Sequence, residues 1–187
     1  MLNNLKIKIF ADGADLENIK NLCKNPIIKG FTTNPSLMKK KGIVDYKNFA
    51  LDVLKITENK PVSFEIFADD LIEMESQANE IASWGKNVNV KIPITNTKGE
   101  STVSLIEKLS NSKIVCNVTA ILTLEQLKSV VQVLNSSVPT ILSIFAGRIA
   151  DTGVNPMTVM KKAVEIAKSK PMSNILWAST REVYNVF

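Results

Sequence analysis

Short apolar segments alternate with amphipathic segments along this 187-residue chain, and this alternation restricts the fold more than any other feature. Between the apolar segments, hydrophobic residues recur at the three- and four-residue spacing of an amphipathic helix. No turn signature of a β-hairpin joins one apolar segment to the next. Such a pattern predicts a parallel sheet whose strands are connected by helices. The predicted strands cover residues 6–12, 29–34, 62–67, 88–95, 113–119, 139–145 and 174–179.

Capping residues mark the ends of several of the intervening helices. Thr123 and Gln126 have the spacing of a capping box. Asn155 followed by Pro156 is a favourable start for another helix. The predicted helices cover residues 16–23, 46–57, 102–109, 124–134 and 156–168, with one between Asp69 or Asp70 and Gly85 and one beginning at about Arg181.

The number of strand–helix repeats selects the fold class. Seven repeats without a glycine-rich dinucleotide fingerprint after the first strand predict a (β/α)8 TIM barrel of the class I aldolase type, as a single domain over residues 1–187. A flavodoxin-like or other open sheet is the alternative. The sequence stops at Phe187, where the eighth strand and the C-terminal helix of a barrel would follow, so we expect a barrel without them. Either the chain is a fragment, or contacts between subunits cover the exposed sheet edges.

The composition argues against several classes of function. The net charge is +5, but the lysines are scattered apart from residues 39–41 and no aromatic–basic motif accompanies them, so we expect no nucleic acid partner. Cys23 and Cys116 are far apart in a chain without histidine, a pattern typical of two reduced thiols and not of a metal site. Neither a secretory signal nor an apolar stretch of membrane-spanning length is visible, so we expect a cytoplasmic location without membrane attachment.

A lysine lies in the middle of the fourth predicted strand. Side chains alternate between the two faces of a strand, so Val88, Val90 and Ile92 share one face while Asn89 and Lys91 share the other. One interpretation is an edge lysine whose stem packs while its amine reaches water. The other is a partly desolvated amine that attacks a carbonyl group and forms a Schiff base. Taken alone, the strand leaves both interpretations open.

Polar residues recur at the C-terminal ends of the predicted strands, where the active groups of such barrels lie. Each has a simpler explanation when taken singly, such as Asp12 as a helix cap or Asn34 as a turn residue before Pro35. Together they predict a polar ligand, because buried polar groups require hydrogen-bonding partners. The set, with Phe145 included for its place beside Ser143, consists of Asp12, Thr32, Thr33, Asn34, Glu65, Lys91, Asn117, Thr119, Ser143, Phe145 and Ser179.

Arginine is rare in this chain. Arg148 and Arg181 are two among 23 basic residues, and they follow the sixth and seventh predicted strands. A surface ion pair is one explanation, but barrels of this kind often bind phosphate there, and a guanidinium fork matches a phosphate group. The residues by themselves therefore indicate a sugar phosphate, with its carbonyl at Lys91 and its phosphate on the two arginines. Its hydroxyls would contact Asp12, Asn34, Asn117 and Ser143.

A series of short motifs, in a specific order along the chain, also carries a family resemblance. The motifs are FADGADLENI, GFTTNPSL, SFEIFA, VKIP, CNVTAILTLEQ, SIFAGRIAD and WASTR. They resemble the transaldolase family, in particular its short phage and bacterial members close to fructose-6-phosphate aldolase. The resemblance extends from about residue 6 to the end of the chain.

The resemblance implies roles for individual residues. Lys91 would form the Schiff base, and Glu65 would move protons through a water held near Thr119. Asp12 would act as acid and base at the bond that is cleaved. The predicted substrate-binding residues are Thr32, Asn34, Asn117, Ser143, Phe145, Arg148, Ser179 and Arg181.

With this resemblance, the sequence predicts a transaldolase that moves a dihydroxyacetone unit from fructose 6-phosphate or sedoheptulose 7-phosphate to an aldose phosphate in the pentose phosphate pathway. No cofactor is expected, because the protonated imine is itself the electron sink. A homo-oligomer is expected if the native protein carries the C-terminal helix. The alternatives are an aldolase that releases free dihydroxyacetone and a non-catalytic protein that binds sugar phosphates. Glu65 and Phe145 favour the transferase, because the aldolases of the family carry Gln and Tyr at these positions.

Overall fold

The computed structural model describes residues 6–182 and 185, in which strands and helices alternate along the chain. The strands are β1 (Ile9–Asp12), β2 (Ile28–Thr32), β3 (Val62–Glu65), β4 (Val88–Pro93), β5 (Cys116–Ile121), β6 (Thr140–Ile144) and β7 (Ser173–Trp177). The helices are α1 (Leu16–Cys23), α2 (Pro35–Lys40), α3 (Tyr46–Thr57), α4 (Leu71–Ser83), α5 (Val103–Asn111), α6 (Leu124–Val133), α7 (Ala146–Asp151) and α8 (Pro156–Ala167).

The strands pair in the order in which they occur in the chain, from β1 to β7, in one sheet. The pairs β1–β2, β2–β3, β5–β6 and β6–β7 are parallel. A doubly wound open sheet changes its strand order at a switch point, whereas the described strands keep the order of the sequence. Consecutive parallel strands with helices between them are the arrangement of a (β/α)8 barrel. The barrel class predicted from the sequence is therefore confirmed, with seven of its strands.

Contacts between Cα atoms divide the chain into two compact units. The first comprises the chain up to Phe67 together with Gln77–Val90. The second comprises Ala68–Ser76 together with the residues from Lys91 onward. The single domain over residues 1–187 that the sequence suggests stays a prediction.

The core of the first unit contains strand residues from both faces of the sheet. In β3, Val62, Ser63 and Phe64 are all buried, as is typical of parallel strands that are covered on both sides. Each helix contributes one apolar face, and the buried positions of α3 recur at helical spacing. The buried apolar residues of this unit include Ile19, Phe31, Phe49, Ala50, Val53, Ala78 and Ile81.

In the second unit, α6 packs against both α5 and α8. The predicted capping box is present at the start of α6, where the backbone amide nitrogen of Gln126 donates to the Thr123 hydroxyl at 3.2 Å. Asn155 caps α8 by accepting a hydrogen bond from the Met157 amide nitrogen at 3.0 Å. The buried apolar residues of this unit include Leu105, Ile106, Leu109, Val118, Leu127, Val130, Leu142 and Ile144.

Two helices were not predicted from the sequence. Helices α2 and α7 have six residues each, too few to show a hydrophobic period. The helix predicted from about Arg181 is not present at Arg181 or Glu182. Asn185 has a 3-10 conformation, and its backbone amide donates to the Glu182 carbonyl oxygen at 3.0 Å, while positions 183, 184, 186 and 187 lie outside the described residues. Within residues 6–182 and 185, no helix combines the length and the apolar character that a membrane span requires.

The start of α7 lies very close to the segment that follows β7. The Gly147 amide nitrogen donates to the carbonyl oxygen of Ala178 at 3.4 Å. A Cβ atom at Gly147 would lie 1.7 Å from the carbonyl oxygen of Ser179, closer than any real contact. Ser179 has a φ of +63°, which is unfavourable for a residue with a side chain. Position 147 therefore requires glycine for close packing.

We expect Gly147→Ala to lower the free energy of unfolding by about 2–3 kcal/mol, because the new methyl group would collide with a backbone oxygen. Urea unfolding followed by circular dichroism measures this change. Gly13→Ala is the matched control, since a Cβ at Gly13 has no atom within 4 Å. We expect the control to change stability by less than about 0.5 kcal/mol. Equal stability of the two variants would contradict the close approach.

Candidate active site

In the first unit, three predicted site residues meet where β1 and β2 end. Asp12 and Thr32 are paired across the two strands. The Thr32 hydroxyl donates to Asp12 Oδ1 at 2.8 Å, and the side-chain nitrogen Nδ2 of Asn34 donates to Asp12 Oδ2 at 3.2 Å. Each carboxylate oxygen of Asp12 thus accepts a hydrogen bond from a neighbouring side chain, which restricts its orientation.

Asn34 also acts at the start of α2. Its side-chain oxygen accepts a hydrogen bond from the Leu37 amide nitrogen at 2.9 Å, and Pro35 occupies the first turn. The helix cap directs the oxygen of Asn34 towards α2 and its amide group towards Asp12. The sequence offered two interpretations of Asn34, a turn residue before Pro35 or a candidate site residue. In the structure, Asn34 caps α2 and also contacts the candidate site residue Asp12.

Glu65 is the last residue of β3, and its side chain is half-buried. Its backbone carbonyl oxygen accepts a hydrogen bond from the Tyr46 hydroxyl at 2.8 Å. Burial raises the pKa of Tyr46 strongly, and the negative charge of Glu65 raises it further. The tyrosine therefore keeps its proton and serves as a hydrogen-bond donor to the Glu65 backbone.

The sequence analysis did not identify Tyr46 as part of this region. One signal was present, because Tyr46 is in helical register with Ala50, Val53 and Thr57, which form the buried face of α3. A tyrosine on such a face needs a partner for its hydroxyl. The partner itself could not be inferred, since Glu65 lies 19 positions further along the chain.

In the second unit, Asn117 on β5 and Ser143 on β6 are in direct contact. The Ser143 hydroxyl donates to the side-chain oxygen of Asn117 at 2.7 Å. Both residues are buried, with exposed fractions of 0% for Asn117 and 3% for Ser143. The structure brings together these two predicted hydroxyl-binding residues.

Thr119 differs from these residues in its hydrogen bonding. Its hydroxyl is buried and has no hydrogen-bond partner within the part of the chain that the structure describes. The strand is irregular here, because the pairing of β5 with β6 shifts register between Val118 and Ile121, and Ala120 has a φ of +59°. A buried hydroxyl without a partner costs about 1–3 kcal/mol, so it is a candidate contact for a polar group from outside the chain.

Lys91 is half-buried in β4, while Val90 and Ile92 on either side of it are fully buried. The loop after this strand is held by two side chains. The Thr97 amide and hydroxyl donate to the two carboxylate oxygens of Asp69 at 2.7 and 2.6 Å, and these bonds lower the pKa of Asp69. The Thr102 hydroxyl donates to the Pro93 carbonyl oxygen at 2.6 Å. The end of the strand that carries Lys91 is therefore well anchored.

The start of α4 resolves an alternative that the sequence left open. The Oδ1 atom of Asp70 accepts hydrogen bonds from the backbone amide nitrogens of Ile72 at 2.9 Å and Glu73 at 3.2 Å. Asp70 is thus the residue that caps α4, and Asp69 holds the loop after β4 instead.

One of the two arginines forms an ion pair with Asp151. Arg181 forms a bidentate ion pair with the Asp151 carboxylate through Nε and Nη2, and its Nη1 donates to the Ser179 hydroxyl at 3.2 Å. Hydrogen bonding from Arg181, supported by the charges of Arg181 and Arg148, lowers the pKa of Asp151. The surface ion pair considered for the arginines is therefore present at Arg181, whereas Arg148 is exposed on α7. The sequence analysis did not identify Asp151, although it lies three positions after Arg148, one turn along a helix.

Phe145 lies immediately before α7 and is half-buried. Its amide nitrogen donates to the Ile121 carbonyl oxygen at 2.9 Å, which ties it to the end of β5. Among residues 6–182 and 185, no group of three His, Cys, Asp or Glu side chains is arranged to hold a metal ion. Burial raises the pKa of the Cys116 thiol to about 12, so this thiol stays protonated.

Comparison with known proteins relates the chain to several probable transaldolases. One from Dehalococcoides mccartyi is 37% identical over 162 residues, which cover 87% of this chain and 71% of the relative. One from Streptococcus agalactiae is 34% identical over 155 residues, which cover 83% and 67%. One from Caldicellulosiruptor saccharolyticus is 34% identical over 182 residues, which cover 96% and 79%.

The family model described as transaldolase/fructose-6-phosphate aldolase matches residues 9–187. This match includes every residue that the sequence analysis assigned to the site. The relatives agree with it, because each of the three is at least 34% identical over more than four fifths of this chain. The chain belongs to the transaldolase/fructose-6-phosphate aldolase family.

Proposed function

We propose that the protein is a transaldolase that transfers a dihydroxyacetone unit from a ketose phosphate to an aldose phosphate through a Schiff base on Lys91. Fructose 6-phosphate and sedoheptulose 7-phosphate are the proposed donors, in the pentose phosphate pathway of the cytoplasm. The observation that carries the proposal is a half-buried lysine between two fully buried residues of β4, in a chain of this family. A lysine amine that meets a ketose carbonyl can add to it and form a Schiff base.

The proposed reaction begins when the Lys91 amine adds to the ketose carbonyl and water leaves, so that a protonated imine forms. Asp12 takes the proton of the hydroxyl beside the carbon–carbon bond that breaks. The electrons of that bond move to the imine nitrogen, an aldose phosphate leaves, and an enamine remains on Lys91. The enamine then adds to a second aldose phosphate, and hydrolysis of the new imine releases the product. The imine accepts the electrons, so the scheme requires no other electron sink.

The contacts of Asp12 support its role as acid and base. Thr32 and Asn34 each donate to one of its carboxylate oxygens, and the residue remains exposed. A carboxylate has about four acceptor positions, so two hydrogen bonds orient it without using all of them. We assign the proton transfers at the imine to Glu65, with Thr119 holding the water that carries the proton. The unpartnered hydroxyl of Thr119 supports this assignment.

The remaining polar residues are proposed to bind the substrate. Asn117 and Ser143, joined by a hydrogen bond, would contact sugar hydroxyls, as would Thr32 and Asn34. Arg148 would bind the phosphate with its exposed guanidinium group. Arg181 and Ser179 would contribute to the same function, although Asp151 already engages Arg181 and would compete with phosphate.

We expect borohydride reduction in the presence of fructose 6-phosphate to attach a three-carbon or sugar adduct to Lys91, detected by mass spectrometry of peptides. Lys91→Arg should abolish both the adduct and the activity, because a guanidinium group stays protonated and cannot attack a carbonyl. Lys98→Arg, at an exposed lysine in the loop after β4, is the control and should retain both. An adduct on another lysine would refute the assignment, and no adduct at all would favour a non-catalytic binding protein.

Removal of the Arg148 side chain should mainly weaken the binding of phosphorylated substrates. Loss of one charge-assisted hydrogen bond costs about 1.5–3 kcal/mol, so Arg148→Ala should lower kcat/KM for fructose 6-phosphate by about tenfold to a hundredfold. Activity on fructose should change little. Lys168→Ala removes the same charge from an exposed ion pair with Glu165 and serves as the control. An equal loss on fructose and fructose 6-phosphate would argue against phosphate binding by Arg148.

The choice between transaldolase and aldolase depends on how quickly the enamine is protonated and hydrolysed. The Phe145 side chain carries no hydroxyl, whereas a tyrosine there would add a donor and a contact for water. We therefore expect Glu65→Gln combined with Phe145→Tyr to shift the ratio towards release of free dihydroxyacetone, measured against transfer to erythrose 4-phosphate. If the unmodified protein already releases free dihydroxyacetone faster than it transfers it, the aldolase alternative is correct.

A further inference from the structure

Four aromatic side chains of the first unit surround the end of β3. The ring of Tyr46 packs edge-to-face against Phe67 at 4.7 Å between centroids, against Trp84 at 5.2 Å and against Phe64 at 6.2 Å. The interplanar angles are between 72° and 90°. Aromatic pairs prefer such edge-to-face arrangements. The packing therefore holds the Tyr46 ring in one orientation, with its hydroxyl directed to Glu65.

The backbone that carries Tyr46 is also held. Tyr46 is the first residue of α3, and Asp45 caps this helix by accepting a hydrogen bond from the backbone amide nitrogen of Asn48 at 3.0 Å. The hydrogen bond from the Tyr46 hydroxyl to the Glu65 carbonyl oxygen, at 2.8 Å, thus connects a capped helix to the end of a buried strand.

The chain that follows Glu65 has two further attachments. Ile66 is buried, with an exposed fraction of 4%. The Phe67 amide nitrogen donates to the side-chain oxygen of Gln77 on α4. The peptide groups on the C-terminal side of Glu65 are therefore held at three successive residues, so the direction in which the Glu65 side chain leaves the backbone is restricted.

The protonation state of Tyr46 suits a permanent donor. Burial, followed by the charge of Glu65, raises the pKa of the phenol far above its usual value, and a hydrogen bond with Thr33 opposes this shift only in part. The phenol consequently keeps its proton across the pH range in which enzymes operate. The hydroxyl therefore remains a donor to the Glu65 carbonyl oxygen.

We propose that Tyr46 is a positioning residue for Glu65, whose hydroxyl holds the Glu65 carbonyl and so directs the carboxyl group that transfers protons. This inference rests on the proposed function, in which Glu65 transfers protons at the imine. A tyrosine that only filled space could be exchanged for phenylalanine without loss, because the ring would pack in the same way. A positioning tyrosine could not, because a small displacement of a catalytic group slows proton transfer.

The decisive variant is Tyr46→Phe in the full chain, compared with Glu65→Gln and with the double variant. We expect Tyr46→Phe to lower kcat for transfer from fructose 6-phosphate by about threefold to tenfold, the effect of one neutral hydrogen bond. KM and the inhibition constant of inorganic phosphate should change by less than about twofold, since phosphate binding does not involve Glu65. In the double variant, the Tyr46 substitution should cause no further loss, because it acts through a carboxyl group that is already gone.

Phe49→Leu is the matched control. Phe49 is buried on the same helix and carries no polar group, so its substitution reduces packing without changing the hydrogen bond to Glu65. We expect Phe49→Leu to lower the unfolding temperature at least as much as Tyr46→Phe while kcat stays within about twofold of the unmodified value.

The outcomes separate this inference from the proposed function. If Glu65→Gln lowers kcat but Tyr46→Phe does not, or if their effects are additive, the positioning role of Tyr46 is refuted while the proposed function stands. If Phe49→Leu lowers kcat as much as Tyr46→Phe, the effect of Tyr46 is packing alone and the inference also fails. If Glu65→Gln leaves kcat unchanged, the proposed role of Glu65 is wrong and the inference fails with it.

Discussion

Hydrogen bonds between side chains at the ends of neighbouring strands order the candidate site of this protein. They hold the exposed Asp12 as well as the buried Asn117, and a buried polar group requires such a partner. In the first unit, Thr32 and Asn34 satisfy the carboxylate of Asp12, and in the second unit Ser143 satisfies Asn117. These partners are 20, 22 and 26 positions apart in the chain, so they meet only when consecutive strands pair in parallel and in register. The same strand pairing therefore orients the candidate catalytic groups. A change in strand register would move side chains to the opposite face and remove them from the site.

Several unusual local features lie at residues proposed for the site. The Thr119 hydroxyl is buried without a partner in the described part of the chain, at an irregular point of β5. Arg181 is engaged by Asp151 and Ser179, and Ser179 adopts a positive φ where Gly147 approaches it. Unfavourable features of this kind concentrate where a protein binds or transforms a ligand. Thr119, Ser179 and Arg181 are among the residues that we propose for the site.

The sequence was most informative where a signal is local. The capping box of Thr123 and Gln126 was recognisable because its residues lie within one helical turn. Asp69 and Asp70 could not be distinguished, because both precede the same helix and only the loop after β4 shows that Asp69 bonds to Thr97. Tyr46 and Asp151 were missed for the same reason, since their importance lies in partners 19 and 30 positions away.

The sequence by itself determined the fold class and most of the helix and strand positions, because hydrophobic period and capping are properties of neighbouring residues. It also indicated which side chains at the strand ends are candidates for the site, since parallel strands place their C-terminal residues at one edge of the sheet. Only the tertiary structure decided which of these side chains bond to one another, which arginine is held in an ion pair, and which tyrosine supports Glu65. Such choices depend on distances between segments that are remote in the chain, and these distances are set by packing and register, which no local pattern encodes.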